Sequence, residues 1–155
     1  ISMSKLADII KIIYFFQELT PDEIEKIARI VEEKNYTSGQ TVFYEGDAAE
    51  AMYVIGLGTV EMIESADGEG KTYGYMATGA LFGELPFLDD MNRQFTVRCT
   101  EPTKMYEISF KKLTKLLDSD NKIAADFYRS LAHFLSTRLR KVSNEMILLK
   151  GLKKH

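Results

Sequence analysis

Between residues 41 and 108 the chain breaks into short stretches rich in β-branched and aromatic residues: 41–44, 51–55, 59–63, 71–76, 95–99 and 104–108. Turn-forming groups separate most of them, namely Glu45-Gly46-Asp47, Gly56-Leu57-Gly58, Asp67-Gly68-Glu69-Gly70 and Thr78-Gly79. Stretches this short cannot make stable helices, and glycine supplies the backbone angles that tight reversals need. Short strands at this spacing bury a core by pairing antiparallel into a barrel or a jelly roll. The expected fold is therefore mainly β with flanking helices, a double-stranded β-helix (jelly roll) with N-terminal helices and a long C-terminal helix. At 155 residues it is expected to be one domain over residues 1–155. The helices are expected at about 5–35, the β-roll at about 40–109 and the C-terminal helices at about 110–150.

The flanks carry a different period. Leu6, Ile9, Ile10, Ile13 and Phe16 recur at steps of three and four, as on one face of a helix. Thr20-Pro21-Asp22-Glu23 spells a helix start, with a hydroxyl cap, proline at the first position and a glutamate placed for a capping box. The helix it opens would carry Ile24, Ile27, Ala28 and Val31 and end before Ser38-Gly39. Beyond the strands, Ser109 can cap a short helix with Leu113, Leu116 and Leu117 inward. A long helix then follows Asp118-Ser119-Asp120-Asn121 and runs to about Lys150. Its apolar residues Phe127, Leu131, Leu135, Leu139, Val142, Met146 and Leu149 form a seam long enough for coiled-coil pairing. A parallel homodimer through this helix is expected, against the alternative that the whole face packs on its own β-roll. Arg138, Arg140, Lys141, Lys150, Lys153 and Lys154 make its end basic, which a solvated helix terminus explains.

Much chemistry is excluded. A net charge of −3 gives no general case for nucleic acid or an anionic membrane. No apolar run approaches the roughly 20 residues of a membrane span. With Cys99 as its one cysteine the chain has no internal disulfide, so a reducing, cytoplasmic setting is expected. Cys99 itself reads as a small core residue. Only His133 and His155 are available as imidazole ligands, too few for the convergent cluster of a cupin-like metal centre. No metal, cofactor or catalytic residue is expected, and the chain does not read as an enzyme.

One stretch departs from this plain scaffold. In residues 82–97, Gly83 and Glu84 open an apolar turn, an acidic patch follows at Asp89, Asp90 and Asn92, and Arg93 stands just before Phe95-Thr96-Val97. A tight helix start exposes backbone N–H groups that suit an anion. An arginine brought back beside them can fork onto a phosphate, and a carboxylate can accept from sugar hydroxyls. A structural ion pair between Glu84 and Arg93 is the other reading of the same residues.

Phe82, Gly83, Glu84, Arg93, Thr96 and Val97 resemble, at matching spacing, the phosphate-binding cassette of cyclic-nucleotide-binding domains. Gly39, Gly46-Asp47, Gly58 and Gly79 fall where that family's β-roll turns, and the likeness covers roughly residues 15–150. The Glu107-Ile108-Ser109-Phe110-Lys111-Lys112 run and the long helix are similar to the catabolite-activator branch. The resemblance implies a regulatory module for cAMP, favoured over cGMP. Its site would comprise Phe82, Gly83, Glu84, Leu85, Arg93, Gln94 and Phe95, with Ser143 and Asn144 of the long helix over the base. Arg93 and the amides of Gly83 and Gln94 would take the cyclic phosphate, and Glu84 the ribose 2′-hydroxyl. Three positions depart from the family pattern: Asn92 replaces a proline, and Gln94 and Phe95 replace small residues. They leave open a degenerate domain that serves as a dimerisation or docking scaffold. Too few residues follow the long helix for a DNA-binding domain, so no nucleic-acid binding by this chain alone is expected.

Overall fold

A computed structural model of the chain describes residues 3–65 and 70–153. Asp67, Gly68 and Glu69 of the expected turn lie outside them, as do Lys154 and His155. Helix α1 (Met3–Ile13) runs into a 3-10 turn (Tyr14–Phe16), and α2 (Pro21–Ala28) follows. The strands are β1 (Val31–Tyr36), β2 (Thr41–Phe43), β3 (Ala51–Leu57), β4 (Thr59–Glu64), β5 (Lys71–Ala77), β6 (Leu81–Phe82), β7 (Thr96–Cys99) and β8 (Thr103–Ser109). Helix α3 (Leu85–Asp89) lies between β6 and β7, and α4 (Phe110–Ser119) and α5 (Asn121–Lys153) close the chain.

The strands form two antiparallel four-stranded sheets, in the orders β1-β8-β3-β6 and β2-β7-β4-β5. Alternation along β3 explains how they are cemented. Ala51, Tyr53 and Ile55 point into the core between the sheets, with Val60, Val97, Cys99 and Met105. Met52 and Val54 point the other way, into a second core shared with Ile12, Phe16, Ile27, Leu113, Phe127 and Leu131 of the helices. A strand buried on both faces reads as a continuous apolar run, as residues 51–55 do. The 3-10 turn docks on α5 through Phe16, which stacks on Phe127 with centroids 4.8 Å apart. The Tyr106 hydroxyl donates to Asp8 and ties α1 to β8. Cys99 is buried in β7, where burial pushes its thiol pKa up.

The capping box at Thr20 is present, with the Glu23 amide donating to the Thr20 hydroxyl at 3.3 Å and the Thr20 amide donating to the Glu23 carboxylate at 2.9 Å. The helix it starts is shorter than the sequence indicates. Residues 31–36 are an edge strand on β8 and not a continuation of α2, so the β-roll begins at Val31 and not near residue 40. Only Val31 of β1 is buried, and the remainder is charged or polar, with Glu32 paired to Lys112 at 2.9 Å and Glu33 to Lys104 at 3.6 Å. A charged edge strand resists pairing with other chains, and it carries no alternating pattern by which to recognise it. The two-residue β6 was likewise unannounced.

Helix α5 divides into halves. Ile123, Phe127 and Leu131 are buried against the domain, whereas Leu139, Val142, Met146 and Leu149 are exposed. None of the described helices is long and apolar enough to cross a membrane. Phe127 joins the helices to the sheet, so Phe127→Ala is expected to lower unfolding free energy by about 3–5 kcal/mol in urea titrations.

Candidate ligand-binding site

The chain between β6 and β7 is folded by its own short-range contacts. Gly83 leaves β6 with φ +77°, a left-handed angle that glycine adopts readily. Helix α3 makes barely more than one turn, with Pro86 near its start, where a missing N–H matters little. Asp90 ends it at φ 57°, donating its amide to the Pro86 carbonyl at 3.0 Å, and the Asp89 carboxylate accepts from the Met91 amide at 2.9 Å. The acidic patch is therefore the turn that brings the chain back. Arg93 is then clamped at its backbone by the β2–β3 loop: its amide donates to the Asp47 carbonyl and its carbonyl accepts from the Gly46 amide, each at 2.8 Å. Thr96 is fully buried, accepting from the Glu45 amide at 2.9 Å and donating to the Ser65 carbonyl at 2.6 Å. Its place in the pattern is structural.

The side chain of Arg93 turns inward and is only 5% exposed. Nη1 donates to the Gly83 carbonyl at 2.9 Å and Nη2 to the Ala51 carbonyl at 2.5 Å. The guanidinium lies 3.9 Å from the centre of the Phe43 ring, a cation–π arrangement. Among the described residues Nε has no partner and no carboxylate lies within ion-pair distance. Burial pulls its pKa below the ordinary arginine value, partly opposed by Tyr53, Asp47 and Glu84.

Glu84 has a different partner. Its carboxylate, on a residue 1% exposed, is bound by Nη1 of Arg138 from α5. Nη2 of Arg138 donates to the Leu81 carbonyl at 2.8 Å, and the guanidinium lies 4.6 Å from the Phe134 ring. The structure thus has no Glu84–Arg93 pair. The cation on Glu84 comes from 54 residues downstream. The sequence marks Arg138 only as one of several basic residues on the long helix; its sole distinguishing signal is Phe134 four residues before it, on the same face.

These residues surround one cavity of about 520 Å³. Phe82, Gly83, Glu84, Leu85, Arg93, Gln94 and Phe95 all line it, together with Arg138, Phe43 and an apolar wall that includes Met62, Met76 and Met91. Its size suits a small organic ligand. Phe95 is half-buried in the wall, neither in the core nor filling the space, and stacks on Tyr73 with centroids 4.9 Å apart. Ser143 and Asn144 do not line it. Both are exposed on α5, five and six residues beyond Arg138, which at 1.5 Å per residue is about 8 Å further along the axis. Among the described residues no group of three or more His, Cys, Asp or Glu is placed to hold a metal.

The profile of the cyclic nucleotide-binding domain matches residues 33–120, from β1 through α4, and takes in every residue of the cavity wall named above except Arg138. The chain belongs to that family. The cyclic nucleotide-binding domain described here is 27% identical over 135 residues to the cyclic AMP receptor protein of Thermus thermophilus, covering 86% of this chain and 61% of that protein. It is 35% identical over 100 residues to the cAMP-dependent protein kinase regulatory subunit of Blastocladiella emersonii, covering 64% of this chain and 25% of that one. The chain spans less than two thirds of either relative. In fold it is similar to a cyclic nucleotide-binding domain from Methylobacillus flagellatus, with a TM-score of 0.78 at 23% identity, covering 93% of this chain and 85% of that one.

A Cβ at position 83 would meet Arg93 Nη1 at 2.7 Å in a backbone conformation that side chains rarely adopt. Gly83→Ala is therefore expected to destabilise the domain by more than 1 kcal/mol and to displace Arg93. Chemical denaturation and an Arg93 side-chain NMR signal would report the two effects.

Proposed function

We propose that this domain binds a cyclic nucleotide, cAMP in preference to cGMP, and passes the binding event to its C-terminal helix. One observation carries the reading. A buried cation ordinarily has an anionic partner, because leaving it unpaired away from water is costly. Arg93 has two carbonyls, an aromatic face and an unpartnered Nε, and it borders a cavity. An entering phosphate supplies the missing charge, and the amides of Gly83 and Gln94 are the neighbouring donors. The preference for cAMP rests on the two relatives described above, whose names include it.

Glu84 keeps acceptor capacity beyond the bond from Arg138, since an ionised carboxylate has about four lone-pair positions. A ribose 2′-hydroxyl can take one of them. The sugar would then press on the contact that holds α5 to the β-roll, through Arg138 and the Leu81 carbonyl. Ligand shifts the helix only by its differential affinity for two arrangements. The exposed seam of Leu139, Val142, Met146 and Leu149 is where a second copy would pair and feel that shift. The module is regulatory in this account, and the standing cavity beside Phe95 favours it over a scaffold without a ligand.

Charge-assisted hydrogen bonds contribute on the order of 1.5–3 kcal/mol each. In calorimetric titrations with cAMP, Arg93→Ala is expected to bind at least tenfold more weakly than the parent; equal affinity contradicts the assignment. For the relay, small-angle scattering is expected to change on saturation in the parent and to stay constant in Arg138→Ala. A parent profile indifferent to ligand removes the relay.

A further inference from the structure

Phe95 is an aromatic residue of the cavity wall to which the proposed phosphate and ribose contacts give no role. Tyr73 covers one face of its ring, with an interplanar angle of 25°. Tyr73 does not itself line the cavity, so the ring's remaining surface is what Phe95 contributes to the wall. The pairing is built into the sheet. In the β4–β5 ladder Met62 opposes Gly74 and Ile63 opposes Thr72, which leaves Tyr73 as the extra residue of a bulge. Bulges re-aim a side chain and recur beside binding sites. Here the bulge lies on an edge strand and holds up a tyrosine that is 66% exposed, which packing alone does not require. Meanwhile α5 brings Arg138 to the cavity but leaves Ser143 and Asn144 outside it.

We infer that Phe95, backed by Tyr73, is a stacking platform for the nucleobase and selects purine over pyrimidine cyclic nucleotides. The inference rests on the cyclic-nucleotide reading above. Flat aromatic surfaces hold bases by their π faces, and the larger purine overlaps such a ring more fully. Met62, Met76 and Met91, flexible and polarisable, close the remaining wall around whichever base is seated. The bulky residue that departs from the family pattern thereby becomes the specificity element.

The test compares the parent protein, Phe95→Leu and Tyr73→Leu in calorimetric titrations with cAMP and with cytidine 3′,5′-cyclic monophosphate. Leucine keeps most of the volume without the ring, and thermal unfolding of each variant checks that it folds. The parent is expected to favour cAMP by about tenfold or more. Phe95→Leu should lose about tenfold for cAMP and little for the cytidine nucleotide, with Tyr73→Leu following in the same direction. The adenine H2 and H8 resonances should move upfield on binding the parent and not on binding Phe95→Leu. An unchanged preference in Phe95→Leu without that ring-current shift overturns the platform, as does tighter binding of cAMP by Phe95→Leu. Loss of cAMP binding in Arg93→Ala alongside either result would leave the cyclic-nucleotide reading standing. A parent that binds neither nucleotide overturns both.

Discussion

A guanidinium that is 5% exposed must find acceptors inside the protein, and much of this fold is arranged around giving Arg93 some of them. The end of β6 and the start of β3 supply the two carbonyls, and the end of β2 supplies an aromatic face. The β2–β3 loop grips the arginine's own peptide groups. Each of these segments has to arrive in register for the cation to be tolerated at all. The jelly roll accomplishes that, because its two sheets bring the ends of β2, β3 and β6 to one place. Among the described residues no carboxylate pairs with Arg93 directly, and that asymmetry is what the proposed phosphate contact rests on.

The second cation works in the opposite way. Arg138 is paired with a carboxylate and so is satisfied without a ligand, and both of its hydrogen bonds go to the chain around β6, at Leu81 and Glu84. Helix α5 is therefore attached to the β-roll at this level by a charge pair and a single carbonyl, with the Phe134 ring beneath. Beyond that point its apolar residues Leu139, Val142, Met146 and Leu149 are exposed. A pair of this kind is held by geometry more than by net energy, which suits the relay proposed above.

What could be read from the residues follows how local each feature is. Gly83, Glu84 and Arg93 were legible because the cassette folds within about a dozen residues, with its turn spelled out by Asp89 and Asp90. The glycine-punctuated strands were legible for the same reason. Arg138 was not, since nothing in a helical period separates it from Arg140 or Lys141; its role exists only once the fold brings Glu84 beside it. Strand β1 escaped because an edge strand needs charge on both faces and so shows no alternation. Phe95 could not be placed because it precedes β7 by one residue, outside the ladder whose period would have assigned it inward or outward. The ion pair read between Glu84 and Arg93 has the right residue types and the wrong partners.

The measurement that bears most directly on the central claim is thermal unfolding of the protein with cAMP, cGMP or AMP at millimolar concentration. Binding to the folded state alone stabilises it by about 2.7 kcal/mol at a hundredfold excess over the dissociation constant. A cyclic phosphate held by Arg93 predicts a rise in the unfolding midpoint with cAMP, a smaller one with cGMP, and none with AMP. Equal midpoints in all three, matching the protein alone, would contradict it.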